Sequence, residues 1–124
     1  MKSILKTLAV AVIALIGFAT QSQAQDIVKL EQTPGTFDKT EITLQAGTYV
    51  FEVSNSGVDH EVGFVIAEVN RKGKTGDHVK TGYLAKTINN GESARSQEVE
   101  LKPGTYRYFC PLNPTPEYTI TVTK

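Results

Sequence analysis

The chain has 124 residues, with 13 basic and 13 acidic side chains, one cysteine and two histidines. Balanced charge excludes the strong positive field that nucleic acid or an anionic membrane surface would select. A lone cysteine excludes an internal disulfide, yet a domain of about a hundred residues can bury one core without such a staple.

The first element in chain order is a leader. Lys2 and Lys6 form a basic start, Leu8 to Ala19 is continuously apolar, and Ser22-Gln23-Ala24 offers small residues at the two positions a signal peptidase reads. The pattern predicts a secretory signal over residues 1–24, cut after Ala24, and a mature domain over 25–124. The apolar run is short for a bilayer span, and no later stretch is long enough for one. The expectation is therefore a periplasmic or secreted protein with no transmembrane segment after cleavage. Without Lys2 and Lys6, 11 basic residues face 13 acidic ones, a net charge of about −2.

Beyond the leader, no helical periodicity persists. Short alternating runs recur instead: DIVKLEQ, TEITL, TYVFEVS, HEVGFVIAE, SQEVEL, TYRYFC and YTITVT. Turn signals QAG, NSG, NNGES and KPG separate several of them. Period-2 placement puts Tyr49, Phe51 and Val53 on one face, and His60, Val62, Phe64 and Ile66 on another. Tyr106, Tyr108 and Cys110 share a face, as do Tyr118, Ile120 and Val122. About seven short strands predict an all-β fold, a Greek-key antiparallel β-sandwich. Asn70 to Asn90 breaks the rhythm: it is basic, contains glycine and is long for a hairpin loop. It reads as a solvated excursion, or else as a surface for a partner.

Chemistry concentrates near the C-terminus. Cys110 ends a strand-like run and opens YFCPLNPTPEY, where Pro111, Pro114 and Pro116 restrict the backbone. His60 opens a strand after NSGVD. A thiol and an imidazole are both soft-metal ligands, although free cysteine is also a common buried hydrophobe.

GTYVFEVSNSGVDHEVGFVI, followed much later by LKPGTYRYFCPLNPTPEYTITVTK, resembles the cupredoxin family, plastocyanin and azurin among its members. The resemblance runs from about Thr36 to Lys124 and is most specific in LKPGTYRYFCP. It implies a cupredoxin-like fold, His60 as the first copper histidine and Cys110 as the copper thiolate. It also implies a second histidine shortly after the cysteine, where Asn113 stands, and an axial methionine, which has no counterpart because Met1 leaves with the leader. Asn113, Glu117 and His78 are further candidate ligands. On this basis Asn113→His is expected to restore the missing imidazole.

The resemblance further implies copper as cofactor, electron transfer or Cu(I) holding as the chemistry, and a redox partner protein. The absent second histidine leaves another reading, a metal-free cupredoxin-like module for binding or structure. In that reading the excursion and exposed strand edges meet the partner. A Cys–His nucleophile pair has no evident orienting acid or oxyanion donor, so no enzyme is expected.

Overall fold

The computed structural model describes residues Asp26–Lys124; the predicted leader lies outside the described residues. Among the described residues nine strands form: β1 (Asp26–Thr33), β2 (Thr36–Phe37), β3 (Glu41–Gln45), β4 (Gly47–Asn55), β5 (Val65–Val69), β6 (Thr75–His78), β7 (Ser93–Leu101), β8 (Gly104–Phe109) and β9 (Tyr118–Thr123). The only helical element among the described residues is one 3-10 turn, Lys80–Gly82. No helix among them is long and apolar enough to cross a membrane.

The strands make a four-stranded sheet in the order β2-β1-β4-β7 and a five-stranded sheet in the order β3-β9-β8-β5-β6. The sandwich expectation holds, but the sheets are mixed rather than antiparallel. β1 runs parallel to β4, from Asp26 opposite Tyr49 to Gln32 opposite Asn55. β3 runs parallel to β9, from Glu41 opposite Thr119 to Gln45 opposite Thr123. The cause lies in the turns. QAG and KPG do not close hairpins; each carries the chain from one sheet to the other, β3 to β4 and β7 to β8. Parallel neighbours need such crossovers, because a two-residue hairpin can join only antiparallel strands.

Between the sheets lies the core that period 2 predicts. Phe51, Val53, Val62, Phe64, Tyr108, Ile120 and Val122 are all buried, with Tyr49 beside them, while Tyr106 is only partly covered. Phe37 packs edge-on to Tyr108 with ring centroids 5.4 Å apart, and Phe51 lies 5.6 Å from Phe64. Such aromatic pairs contribute about 0.5–1.5 kcal/mol each beyond burial. The Tyr108 hydroxyl donates to the Lys39 carbonyl at 2.5 Å. On β4 the ladder shifts register between Val50 and Glu52, and the displaced Phe51 N–H donates instead to the Ser96 hydroxyl at 2.9 Å. The bulge thus leaves no orphan donor.

The Asn70 to Asn90 segment is not simply solvated. Its first part is the β5–β6 hairpin, and the remainder closes the side of the sandwich between β5 and β7. The Val79 N–H donates to Ile66 O at 2.7 Å, and Ala85 N–H to Arg95 O at 3.0 Å. Gly82 sits so close to Ile66 that an added Cβ would lie 3.0 Å from its Cδ1. Ile88 is fully buried and exchanges both backbone hydrogen bonds with Val62. A serial β-strand from His60 to Glu68 does not form. Backbone pairing in its first half is limited to the Val62–Ile88 bridge, and regular pairing begins at Val65.

Two outcomes follow from this packing. Ile88→Ala leaves a cavity between the sheets and is expected to lower the unfolding free energy by about 2–5 kcal/mol in urea titration; a merely solvated segment would show almost no change. Burial first, then the charges of Tyr118, Asp38 and Glu41, push the Tyr108 phenol well above its usual range. A group whose folded pKa is raised contributes stability that is fully present below its unfolded value, about pH 10, and is lost as pH climbs from there toward the folded value. Stability should therefore fall above about pH 10, and Tyr108→Phe should flatten that fall in denaturation curves recorded from pH 8 to 11.

Candidate functional site

β8 alternates Tyr106, Tyr108 and Cys110 toward the interior, and the chain leaves the sheet at the cysteine. Cys110 is a free thiol, 3% exposed. Its sulfur accepts three backbone N–H groups: Asn113 at 3.1 Å, Gly63 at 3.3 Å and Leu112 at 3.4 Å. Thr115 folds the proline loop back, its hydroxyl accepting the Cys110 N–H at 3.1 Å. The loop is rigid because prolines restrict it and because the sulfur and Thr115 hold its backbone.

The Gly63 contact puts the His60 to Phe64 segment at the same end of the sandwich as Cys110. Asn55 sets the path into that segment. Its amide accepts the Val58 N–H and donates to the carbonyls of His60 and Ile88 at 3.1 and 3.2 Å. His60 is therefore fixed through its backbone, while its side chain lies outside. The ring is exposed, and Nδ1 rests 2.9 Å from the Glu61 carbonyl oxygen. Period 2 holds for the buried Val62, Phe64 and Ile66 and fails at His60, which precedes the ordered pairing.

The other candidates are scattered. Asn113 is buried, and both ends of its amide are engaged. Oδ1 accepts the Gly35 N–H at 3.0 Å, and Nδ2 donates to Thr33 O at 3.0 Å and Gln32 Oε1 at 3.3 Å. His78 stands on β6 with Nδ1 2.8 Å from the Tyr83 hydroxyl and its ring against Phe109, which points away from the face shared by Tyr108 and Cys110. Glu117 accepts the Thr75 hydroxyl at 2.5 Å in an open cleft with Lys74 and Arg107. Beside the proline loop, Leu112 and Tyr83 are exposed on the rim of an apolar groove floored by Phe64 and Val65.

Gln32 escaped the sequence reading. It is fully buried, and its Nε2 donates to Gly63 O at 2.6 Å. Its signal was present in DIVKLEQ: Val28, Leu30 and Gln32 continue one inward face, so a polar side chain stands where an apolar one belongs.

Residues 6–122 match the family described as cupredoxin-like domain. This chain belongs to that family. No curated protein sequence matches it. Among solved structures, it is similar to auracyanin B at 19% identity, covering 80% of this chain and 89% of that one, with a TM-score of 0.63. It is similar to auracyanin A, a "blue" copper protein from Chloroflexus aurantiacus, at 16% identity over 81% and 100% of the two chains, with a TM-score of 0.64. Amicyanin from Paracoccus versutus follows at 15% identity over 80% and 83%, TM-score 0.52. At these identities the likeness establishes the fold.

A type 1 copper centre needs two imidazoles and a thiolate around the ion, with a weak axial ligand. The cupredoxin-like domain of this chain offers one buried sulfur, an asparagine amide already committed at both ends, and an exposed imidazole turned to its own neighbour's carbonyl. No group of three or more His, Cys, Asp or Glu side chains converges among the described residues. These side chains do not fit a type 1 set. Asn113→His, which the resemblance expects to complete one, would meet Gly35, Thr33 and Gln32. It should lower stability by about 1–3 kcal/mol in urea titration, because the buried partners of the amide lose their bonds.

Proposed function

We propose that this protein is a cupredoxin-like binding or structural module, acting in the periplasm or outside the cell without a resident type 1 copper. The observation that carries this reading is the state of Asn113. It stands where the family resemblance puts the second imidazole, and it is buried with both polar atoms of its side chain paired to the end of β1 and the turn after it. Turning that amide toward an ion would break its bonds to Gly35, Thr33 and Gln32 and so open the end of the sandwich. The leader pattern over residues 1–24 supports export, and a balanced surface supports a protein partner rather than nucleic acid.

One observation favours a second reading, Cu(I) holding or one-electron exchange with a redox partner protein at Cys110 and His60. Three N–H donors on one sulfur suit an electron-rich ligand, and hydrogen bonding around a cysteine sulfur tunes copper sites. His60 lies within three residues of one of those donors. Its exposed ring would have to turn inward to share an ion with the sulfur.

Titration of the purified protein with Cu(II), and with Cu(I) against a competing chelator, separates the two. The copper-free reading expects no intense thiolate-to-Cu(II) absorption and equal copper uptake by wild type and Cys110→Ser. Stoichiometric uptake that Cys110→Ser and His60→Ala both abolish would overturn it in favour of the Cu(I) site.

A further inference from the structure

We infer that Gln32 and Asn113 form an amide latch that seals Cys110 and ties the cysteine end of the sandwich together without an ion. The inference rests on the copper-free reading and gives that site its working parts. Four hydrogen bonds close a ring. Gln32 Nε2 donates to Gly63 O at 2.6 Å; Gly63 N–H donates to Cys110 Sγ at 3.3 Å; Asn113 N–H donates to the same sulfur at 3.1 Å; and Asn113 Nδ2 returns to Gln32 Oε1 at 3.3 Å. The ring joins the end of β1 in the first sheet, the segment entering β5, and the loop leaving β8 in the second sheet. Asn113 adds two ties to the β1–β2 turn, through Thr33 O and the N–H of Gly35. Gly35 has φ of 77°, a conformation that suits glycine and presents that N–H to the amide.

Gln32 is fully buried, while Asn113 and Cys110 are 2% and 3% exposed. No buried side-chain polar atom among the described residues lacks a partner. A fully satisfied buried network rigidifies its surroundings, and removing one member strands the others. An ion bound by side chains of facing loops supplies the same cross-link; here two amides supply it. The consequence falls on the thiol. Thiol chemistry follows access as well as ionisation, so a ring closed over the sulfur shelters it from oxidants and disulfide exchange.

The test is the rate at which Cys110 reacts with Ellman's reagent, measured with and without a strong copper chelator. The wild-type thiol should react at least about a hundredfold slower than in the urea-unfolded chain, because reaction waits on local opening. Gln32→Leu, of similar size, and Asn113→Ala should each raise that rate by about tenfold or more and lower Tm by roughly 5–10 °C. Asn113→Asp keeps the acceptor for Gly35 but loses the donor to Gln32 and Thr33, and should raise the rate as well. The Gln32→Leu/Asn113→Ala double variant should react little faster than either single one, since a ring opens once. Should Asn113→Ala fail to fold, Gln32→Leu and Asn113→Asp decide. Rates in those two equal to wild type, in chelated protein, would overturn the latch. A wild-type rate that rises when chelator is added would instead overturn the copper-free reading.

Discussion

A polar atom removed from water must find a partner or cost about 1–3 kcal/mol, and this constraint governs the cysteine end of the molecule. β1 brings Gln32 inside, β8 brings Cys110 inside, and the proline loop folds Asn113 down between them. Each is buried, so each must be paired. The pairing they find is mutual, and it dictates the rest of the local geometry: Gly63 presents its carbonyl to Gln32 and its N–H to the sulfur, and Gly35 turns its N–H toward Asn113. At the same end, Asn55 of the NSG turn performs a similar task for the loop that follows it. Three side-chain amides, rather than an apolar cap, finish this end of the core.

The frame beneath that end is apolar and aromatic. The chain alternates between the sheets, and each crossing brings inward residues of one sheet against those of the other. Phe37 from the four-stranded sheet meets Tyr108 and Tyr118 of the five-stranded one, and Phe51 meets Phe64. The open side between β5 and β7 is closed by Val79, Leu84 and Ile88, which is why the long segment before β7 must be where it is. With the side walled and the aromatic layer filled, the loops at the cysteine end rest on a rigid floor. Their positions are then set by hydrogen bonds together with the inward packing of Val58, Val62 and Phe64.

Alternation made the core legible in the sequence. Phe51, Val53, Phe64, Tyr108, Ile120 and Val122 lie where period 2 puts them, since a sandwich buries one face of each strand. Strand direction was not legible. QAG and KPG are the same residues whether they close a hairpin or cross between sheets, and only the partner strands, distant in sequence, decide. The site was legible in part. Cys110 and the His60 segment share one end, where the Gly63 N–H reaches the sulfur. The outward turn of the His60 ring was hidden, because a face assignment assumes a strand and pairing starts only at Val65. Asn113 was singled out for what it lacks as a ligand; what it does, bonding residues about eighty positions away, leaves no local mark.

The comparison with auracyanin B bears on how such a site and its fold can part company. At 19% identity the two chains superpose with a TM-score of 0.63, so the sandwich survives replacement of most side chains. That tolerance is physical: a core asks for apolar volume in the right alternation, and many sequences supply it. A metal centre asks for particular atoms at particular places, and loss of one imidazole disables it. What decides whether such an end holds its shape is whether its buried polar groups can satisfy one another. In this chain the sulfur, two glycine backbones and two amides do so within one ring. The end keeps a defined shape because the sulfur, the amides and the glycine backbones all belong to the bonding that holds the loops, while the exposed His60 imidazole stands outside that ring.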